Sequence, residues 1–179
     1  MTEIKENLLV FEFDYPFAER VNPILQSQIK ERYQQPKLGK GAQEWQPENI
    51  HANFTGFNFD SKEVTNLSQW VSNNLTNTLK ISLKIAEIWG VLYNEGDYTT
   101  PHQHAPSLYS FTYYVNAPKG SSPLVFTTSG KKIKPEVGKV VLFESRLVHH
   151  VPPNKCFERC AISGNFIWDR PTGMFKYGY

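Results

Sequence analysis

The chain has little of what marks secreted, membrane-bound or nucleic-acid-binding proteins. Only two cysteines occur in 179 residues, too few for a disulfide framework to replace a hydrophobic core. If Cys156 and Cys160 share an extended strand, their α-carbons stand about 13 Å apart at ~3.3 Å per residue, out of reach of a disulfide. Two reduced thiols suit a reducing compartment, so a cytoplasmic location is expected. Long apolar runs are absent too. Stretches such as Val140–Phe143 fall far short of the roughly 20 residues of a membrane helix. The opening MTEIKENLLVFEF carries acidic residues and no extended apolar segment, so neither a secretory signal nor a transit peptide is expected. Charge of one sign is also missing. Nineteen Lys and Arg stand against seventeen Asp and Glu, with the basic residues scattered, which argues against a dedicated nucleic-acid grip. Neither specific nucleic-acid binding nor a membrane partner is expected. Internal repeats and low-complexity tracts are absent as well.

What the chain does have is aromatic residues and turn formers. Twelve Phe, nine Tyr, twelve Pro and eleven Gly suit short strands better than a helical bundle. Two helical patterns come first. Asn22 can cap a helix with Pro23 at its first position, followed by Ile24, Leu25, Ile29 and Tyr33 at helical spacing. A second helix is predicted after Ser61, with Val64, Leu67, Val71, Leu75 and Leu79 along one stripe. Both stripes read as faces packed on a sheet. Between them, Gln34 to Asn58 is polar and broken by Pro36, Gly39, Gly41 and Pro47, which predicts a long loop, as a lid or a rim. From Ile81 onward the pattern is one of strands: Ile81–Tyr93, Leu108–Asn116, Leu124–Thr127, Lys139–Glu144, Leu147–Val151 and Phe157–Trp168. Many short strands with no intervening helix predict a mainly β fold, a sandwich or jelly roll with an open mouth at one end. One domain is expected over 1–179, with helical support and loop in 1–80 and the jelly-roll core in 81–179.

Four of the five histidines fall in two clusters, His102-Gln103-His104 and His149-His150. Residues i and i+2 of a strand point to the same face, so His102 and His104 can present two imidazoles side by side. A third ligand from a distant strand, His149 or His150, would complete one face of an octahedral metal and leave the other open. An isolated His-x-His near a turn is more often a surface accident. Its company argues otherwise, because Arg159 follows ten residues after His149 and a guanidinium can fork onto a carboxylate. Metal ligands beside a carboxylate receptor describe a site for an organic acid.

These residues resemble the Fe(II)- and 2-oxoglutarate-dependent oxygenases of the double-stranded β-helix (jelly roll, cupin-like) fold, over roughly Ile88 to Phe166. That family's pattern is His-x-Asp/Glu, a distant His, and an Arg about ten residues later; His102, His104, His149 and Arg159 occupy those places. Tyr113-Tyr114-Val115-Asn116 resembles the Tyr-Tyr-Leu-Asn strand of prolyl hydroxylases, which makes Tyr113 the expected partner of the distal carboxylate. Leu147-Val148-His149-His150-Val151 follows Leu-x-His-x-Val, which selects His149 and turns His150 away. Arg159-Cys160-Ala161-Ile162-Ser163-Gly164-Asn165-Phe166 is similar to Arg-x-Ser-Ile-Ser-x-Asn-Phe, with Ala161 in place of the first serine and Ser163 kept beside the cosubstrate. His104 stands where the common pattern has a carboxylate. A neutral imidazole there removes one negative charge from the metal, weakening its binding and raising its effective charge. Pro-His-Gln-His-Ala-Pro resembles a bacterial and phage subgroup of the superfamily whose pattern runs His-x-His-Pro.

The resemblance implies a dioxygenase holding Fe(II) on His102, His104 and His149, with Tyr113, Arg159 and Ser163 on 2-oxoglutarate. O2 would be the co-reactant and ascorbate an optional reductant, and the reaction a C–H hydroxylation releasing succinate and CO2. An amino-acid or peptidyl, even prolyl, substrate is the expectation, as a small molecule or peptide. A three-histidine cupin-like dioxygenase or isomerase that needs no 2-oxoglutarate remains open, as does a jelly-roll binding module with incidental histidines. Ligating imidazoles must be neutral, so metal affinity is expected to fall below about pH 6. Trp89 and Tyr93 read as core; Tyr109 and Phe111 share the face of Tyr113 and are expected to line the pocket with it. His51 sits in the polar loop with Trp45 and Phe54. The residues leave oligomeric state open.

Overall fold

The structure, a computed structural model, describes residues 9–34, the strand at 55–58, and 61–169. His51, Trp45, Phe54, most of the polar stretch from Gln34 to Asn58 and the segment beyond Asp169 lie outside the described residues. The element order is β1 (Val10–Asp14), α1 (Ala18–Gln34), β2 (Thr55–Asn58), α2 (Lys62–Leu79), β3 (Leu83–Tyr93), β4 (Thr99–His102) and β5 (Tyr109–Asn116). There follow β6 (Leu124–Phe126), β7 (Lys132–Ile133), β8 (Lys139–Glu144), β9 (His149–Val151) and β10 (Arg159–Trp168).

Two antiparallel sheets form. The larger runs β1-β8-β5-β10-β3-β2 and the smaller β4-β9-β6-β7. Side chains of the large sheet alternate between two cores, as a pleated strand requires. Leu92, Phe111, Tyr113, Val140, Leu142, Cys160, Ile162 and Phe166 join Val21, Leu25, Ile29, Val64, Leu67, Val71 and Leu75 of the helices. The intervening residues Trp89, Val91, Tyr93, Tyr114, Val141, Phe143 and Ala161 pack instead on Leu124, Phe126, Ile133 and Val151 of the small sheet. Helices therefore cover one face of the large sheet and the small sheet covers the other. This is the expected mainly β, jelly-roll arrangement with helical support.

α2 starts where its sequence says. Ser61 is the N-cap and its hydroxyl accepts the Val64 N–H at 3.3 Å, while Val64, Leu67, Val71 and Leu75 are buried. α1 departs from the expectation. It begins at Ala18, so Asn22 is no cap and Pro23 lies inside the helix. The N–H groups of Arg20 and Val21 already bond the Phe17 carbonyl, and the buried stripe is Val21, Asn22, Leu25 and Ile29, while Ile24 and Tyr33 are exposed. β1 and β2 also fall in the part read as helix and loop, and both edge the large sheet.

One glycine is required by space. A Cβ on Gly164 would lie 2.7 Å from the Phe111 ring and 2.8 Å from the Glu87 carbonyl oxygen. β10 is thus pressed between β5 and β3 at the point where it carries Ser163 and Asn165 toward the small sheet.

Candidate metal and cosubstrate site

The three histidines meet between the two sheets. His102 ends β4 and His149 opens β9, and the two are register partners. Their ring centroids are 4.4 Å apart, with His104 at 5.0 Å from His102 and 5.1 Å from His149. One ring nitrogen from each lies within 4.8 Å of those of the other two. Strand alternation does not place His104, which lies beyond β4. Its backbone N–H instead donates to the Ser145 carbonyl at 2.8 Å.

Two ligand candidates are oriented from behind. His102 Nδ1 lies 2.8 Å from the Thr100 carbonyl and His149 Nδ1 lies 2.7 Å from that of Leu147. A carbonyl only accepts, so both Nδ1 atoms carry the proton and Nε2 is left with its lone pair. Burial lowers the pKa of all three rings: His149 well below the ordinary value, His104 to about 3, and His102 in the same direction. Three neutral nitrogen donors, two of them with their backs fixed, suit a borderline divalent cation such as Fe(II). Trp89, at 5.6 Å from His104, and Phe143, at 4.7 Å from His149, wall the cluster. His150 faces away, with Nδ1 2.9 Å from the Thr127 hydroxyl.

Arg159 begins β10 on the same face and is 2% exposed. Its guanidinium carbon lies 4.5 Å from the ring centre of Tyr93 and 5.4 Å from that of Tyr114. Arg159 Nε and the Tyr114 hydroxyl are both buried without a hydrogen-bond partner. Buried donors left in this way are costly unless an acceptor reaches them. A carboxylate fits that requirement, so the residues present suit 2-oxoglutarate as well as the metal.

Tyr113, expected on the cosubstrate, points elsewhere. Its ring lies in the helix-side core and its hydroxyl donates to Asn22 Oδ1 on α1. Tyr109 and Phe111 do share its face, but that face is the one the helices cover. Tyr114, on the opposite face of β5 with Thr112 and Ser110, is the one of the two tyrosines that lies beside Arg159. The missed signal is the row itself: Tyr109, Phe111 and Tyr113 make a wholly aromatic face, whereas Ser110, Thr112 and Tyr114 make a mixed polar one. Ser163 lies on the small-sheet side of β10, opposite Trp89 and Thr112. Its hydroxyl donates to Thr112 Oγ1 at 3.1 Å.

Solved structures with this architecture include prolyl hydroxylases. A viral collagen prolyl hydroxylase from Paramecium bursaria Chlorella virus-1 superposes with a TM-score of 0.71 at 16% identity, covering 95% of this chain and 97% of that one. A Pseudomonas putida prolyl-4-hydroxylase gives 0.68 at 19% identity, covering 90% and 93%. A Trichoplax adhaerens prolyl hydroxylase, solved with a hypoxia-inducible-factor peptide fragment, gives 0.66 at 16% identity, covering 88% and 83%. The chain has their fold. No protein-family model and no curated protein matches the sequence.

Proposed function

We propose that this protein is an Fe(II)- and 2-oxoglutarate-dependent dioxygenase that hydroxylates an amino-acid or peptidyl substrate. The observation that carries the reading is the convergence of His102, His104 and His149 on a fold shared with prolyl hydroxylases. His102, His104 and His149 would hold the iron, and Arg159 with Tyr114 the far carboxylate of 2-oxoglutarate. Iron bound there would supply the oxidising chemistry with O2 as oxidant, one oxygen atom entering succinate as 2-oxoglutarate loses CO2 and the other entering the hydroxylated C–H bond. The protein's own part is orientation and exclusion of water. Thr100 and Leu147 fix two imidazoles through their carbonyls, and Tyr93 and Tyr114 flank the guanidinium and limit its movement. A prolyl substrate is the first to try, because one solved neighbour carries a peptide. A cytoplasmic setting agrees with two cysteines that are both free and buried. Among the described residues no helix is long and apolar enough to cross a membrane.

The test is anaerobic addition of Fe(II) and then 2-oxoglutarate to metal-free protein. A weak visible charge-transfer band that needs both, and is lost in Arg159→Ala, is expected, as is the loss of succinate release in each of His102→Ala, His104→Ala and His149→Ala. Iron binding with no response to 2-oxoglutarate would sink the proposal and favour a three-histidine metal enzyme that needs no such cosubstrate.

A further inference from the structure

A line of buried polar side chains crosses the large sheet beside the histidines. Ser145, Ser110 and Asn165 are at most 1% exposed, although each carries groups that need partners. The Ser145 and Ser110 hydroxyls are 2.7 Å apart, and Ser110 Oγ is 2.7 Å from Asn165 Oδ1. Asn165 Nδ2 then donates to Glu87 Oε1. The direction of every bond in this line is fixed. The amide oxygen of Asn165 can only accept, so Ser110 spends its single proton there; Ser145 must therefore donate to Ser110. The line runs one way, from Ser145 in the turn after β8, through Ser110 on β5 and Asn165 on β10, to the carboxylate of Glu87 on β3.

Its starting point matters because of what the adjoining turn holds. The Ser145 N–H donates to the Leu108 carbonyl at 2.9 Å, and the Ser145 carbonyl accepts the His104 N–H at 2.8 Å. Two residues on, the Leu147 carbonyl accepts the Nδ1 proton of His149. Two of the three candidate ligands therefore hang on backbone oxygens of one turn, and that turn is tied into the sheet by the Ser145 side chain. His104 has the greater need, since no strand positions it.

We propose that Glu87, Asn165, Ser110 and Ser145 form a positioning chain that fixes the Ser145–Leu147 turn, and through it holds His104 and His149 in metal-binding geometry. The inference rests on the metal-site reading above, though not on 2-oxoglutarate. Supporting groups behind metal ligands typically affect affinity by about 10- to 100-fold.

The experiment is Co(II) titration of metal-free protein, read by visible absorption, with thermal melts alongside. Ser110→Ala, which cuts the chain in the middle, is expected to weaken Co(II) binding about tenfold or more and to alter the Co(II) spectrum. Ser122→Ala is the control. Its hydroxyl donates to the Pro153 carbonyl at 2.8 Å and has no link to the turn, so it should lower the melting temperature while leaving affinity and spectrum as in wild type. Should Ser110→Ala not fold, half-buried Glu87 decides. Glu87→Ala removes the final acceptor and should weaken binding, and Glu87→Gln, whose amide oxygen still accepts, should restore it. Wild-type affinity and spectrum in both Ser110→Ala and Glu87→Ala would overturn the proposal. A wild-type protein that bound no Co(II) would remove the metal site and the chain's role with it. Co(II) binding without 2-oxoglutarate-dependent turnover would sink the dioxygenase reading alone.

Discussion

Two adjacent tyrosines with the same ring have opposite surroundings, set by which face of β5 each occupies. Tyr114 stands beside Arg159 with its hydroxyl buried and unpartnered, and burial raises its pKa to about 12. It stays a neutral donor at any ordinary pH. Tyr114→Phe should therefore raise the KM for 2-oxoglutarate roughly 10- to 100-fold, the loss expected of a hydrogen bond to a charged acceptor worth about 1.5–3 kcal/mol. Tyr113→Phe breaks the bond to Asn22 and should cost about 1 kcal/mol of stability with the KM unchanged. Steady-state kinetics of the pair, with chemical melts of each, check both halves; equal KM values would remove Tyr114 from the cosubstrate site. The histidines carry a pH consequence as well. Their folded pKa values are lowered by burial, that of His104 to about 3, whereas in the unfolded chain they lie near ~6.5. As pH falls below about 6.5 the unfolded chain takes up protons that the folded one refuses, so stability is lost progressively toward the folded values. Melting curves of metal-free protein between pH 7.5 and 5 should show this decline, and His104→Asn should flatten it. The same burial keeps the imidazoles neutral below the pH 6 threshold that free imidazole suggests, so metal binding should persist to lower pH than the sequence implies.

At the level of elements, legibility followed the strength of the local pattern. α2 shows a capping serine and a continuous apolar stripe, and it folds as read. The central strands β3, β5, β8 and β10 carry long runs of β-branched and aromatic residues and appear within a few residues of their predicted ends. β1, β2, β4 and β7 are short, two to five residues each, and owe their pairing to neighbours distant in sequence, which no local window contains. Asn22-Pro23 reads as a helix start because both residue types favour one. Asn22 is instead taken up by Tyr113 from another element, a tertiary demand that overrides the local preference. The face of β5 was illegible for the same reason, since alternation groups residues without saying which group the helices cover. Gly164 marks where elements press hardest. Gly164→Ala would drive a methyl group against the Phe111 ring and the Glu87 carbonyl, and overpacking of this kind costs about 1–3 kcal/mol. Denaturant unfolding should show a lowered midpoint at unchanged slope, and a midpoint equal to wild type would mean that β10 can draw back from β5 freely.

Across the whole molecule, the candidate metal site draws on both sheets. His102 and His149 belong to neighbouring strands of the small sheet, and His104 is held by the turn leading out of β8 in the large one. The four strands of the small sheet are two to four residues long, so its hold on the large sheet depends on the shared core of Phe126, Phe143, Val151 and Tyr93 and on whatever bridges the three imidazoles. A cation that binds the folded state and not the unfolded one stabilises by about 2.7 kcal/mol at a hundredfold excess over its Kd. In a protein of this size that corresponds to a rise in melting temperature of roughly 5–10 °C. The rise should be greatest for metals that favour imidazole, such as Co(II), Ni(II) and Zn(II), and small for Mg(II), which prefers oxygen. A carboxylate in place of the central imidazole would narrow that gap, so His104→Asp should gain relative affinity for Mn(II) over Ni(II). Differential scanning measurements across these ions, on wild type and His104→Asp, test whether the three-imidazole set governs metal choice. Equal shifts for Mg(II) and Ni(II) in wild type would show that the cation binds elsewhere, on carboxylates, and that the histidines are not its ligands.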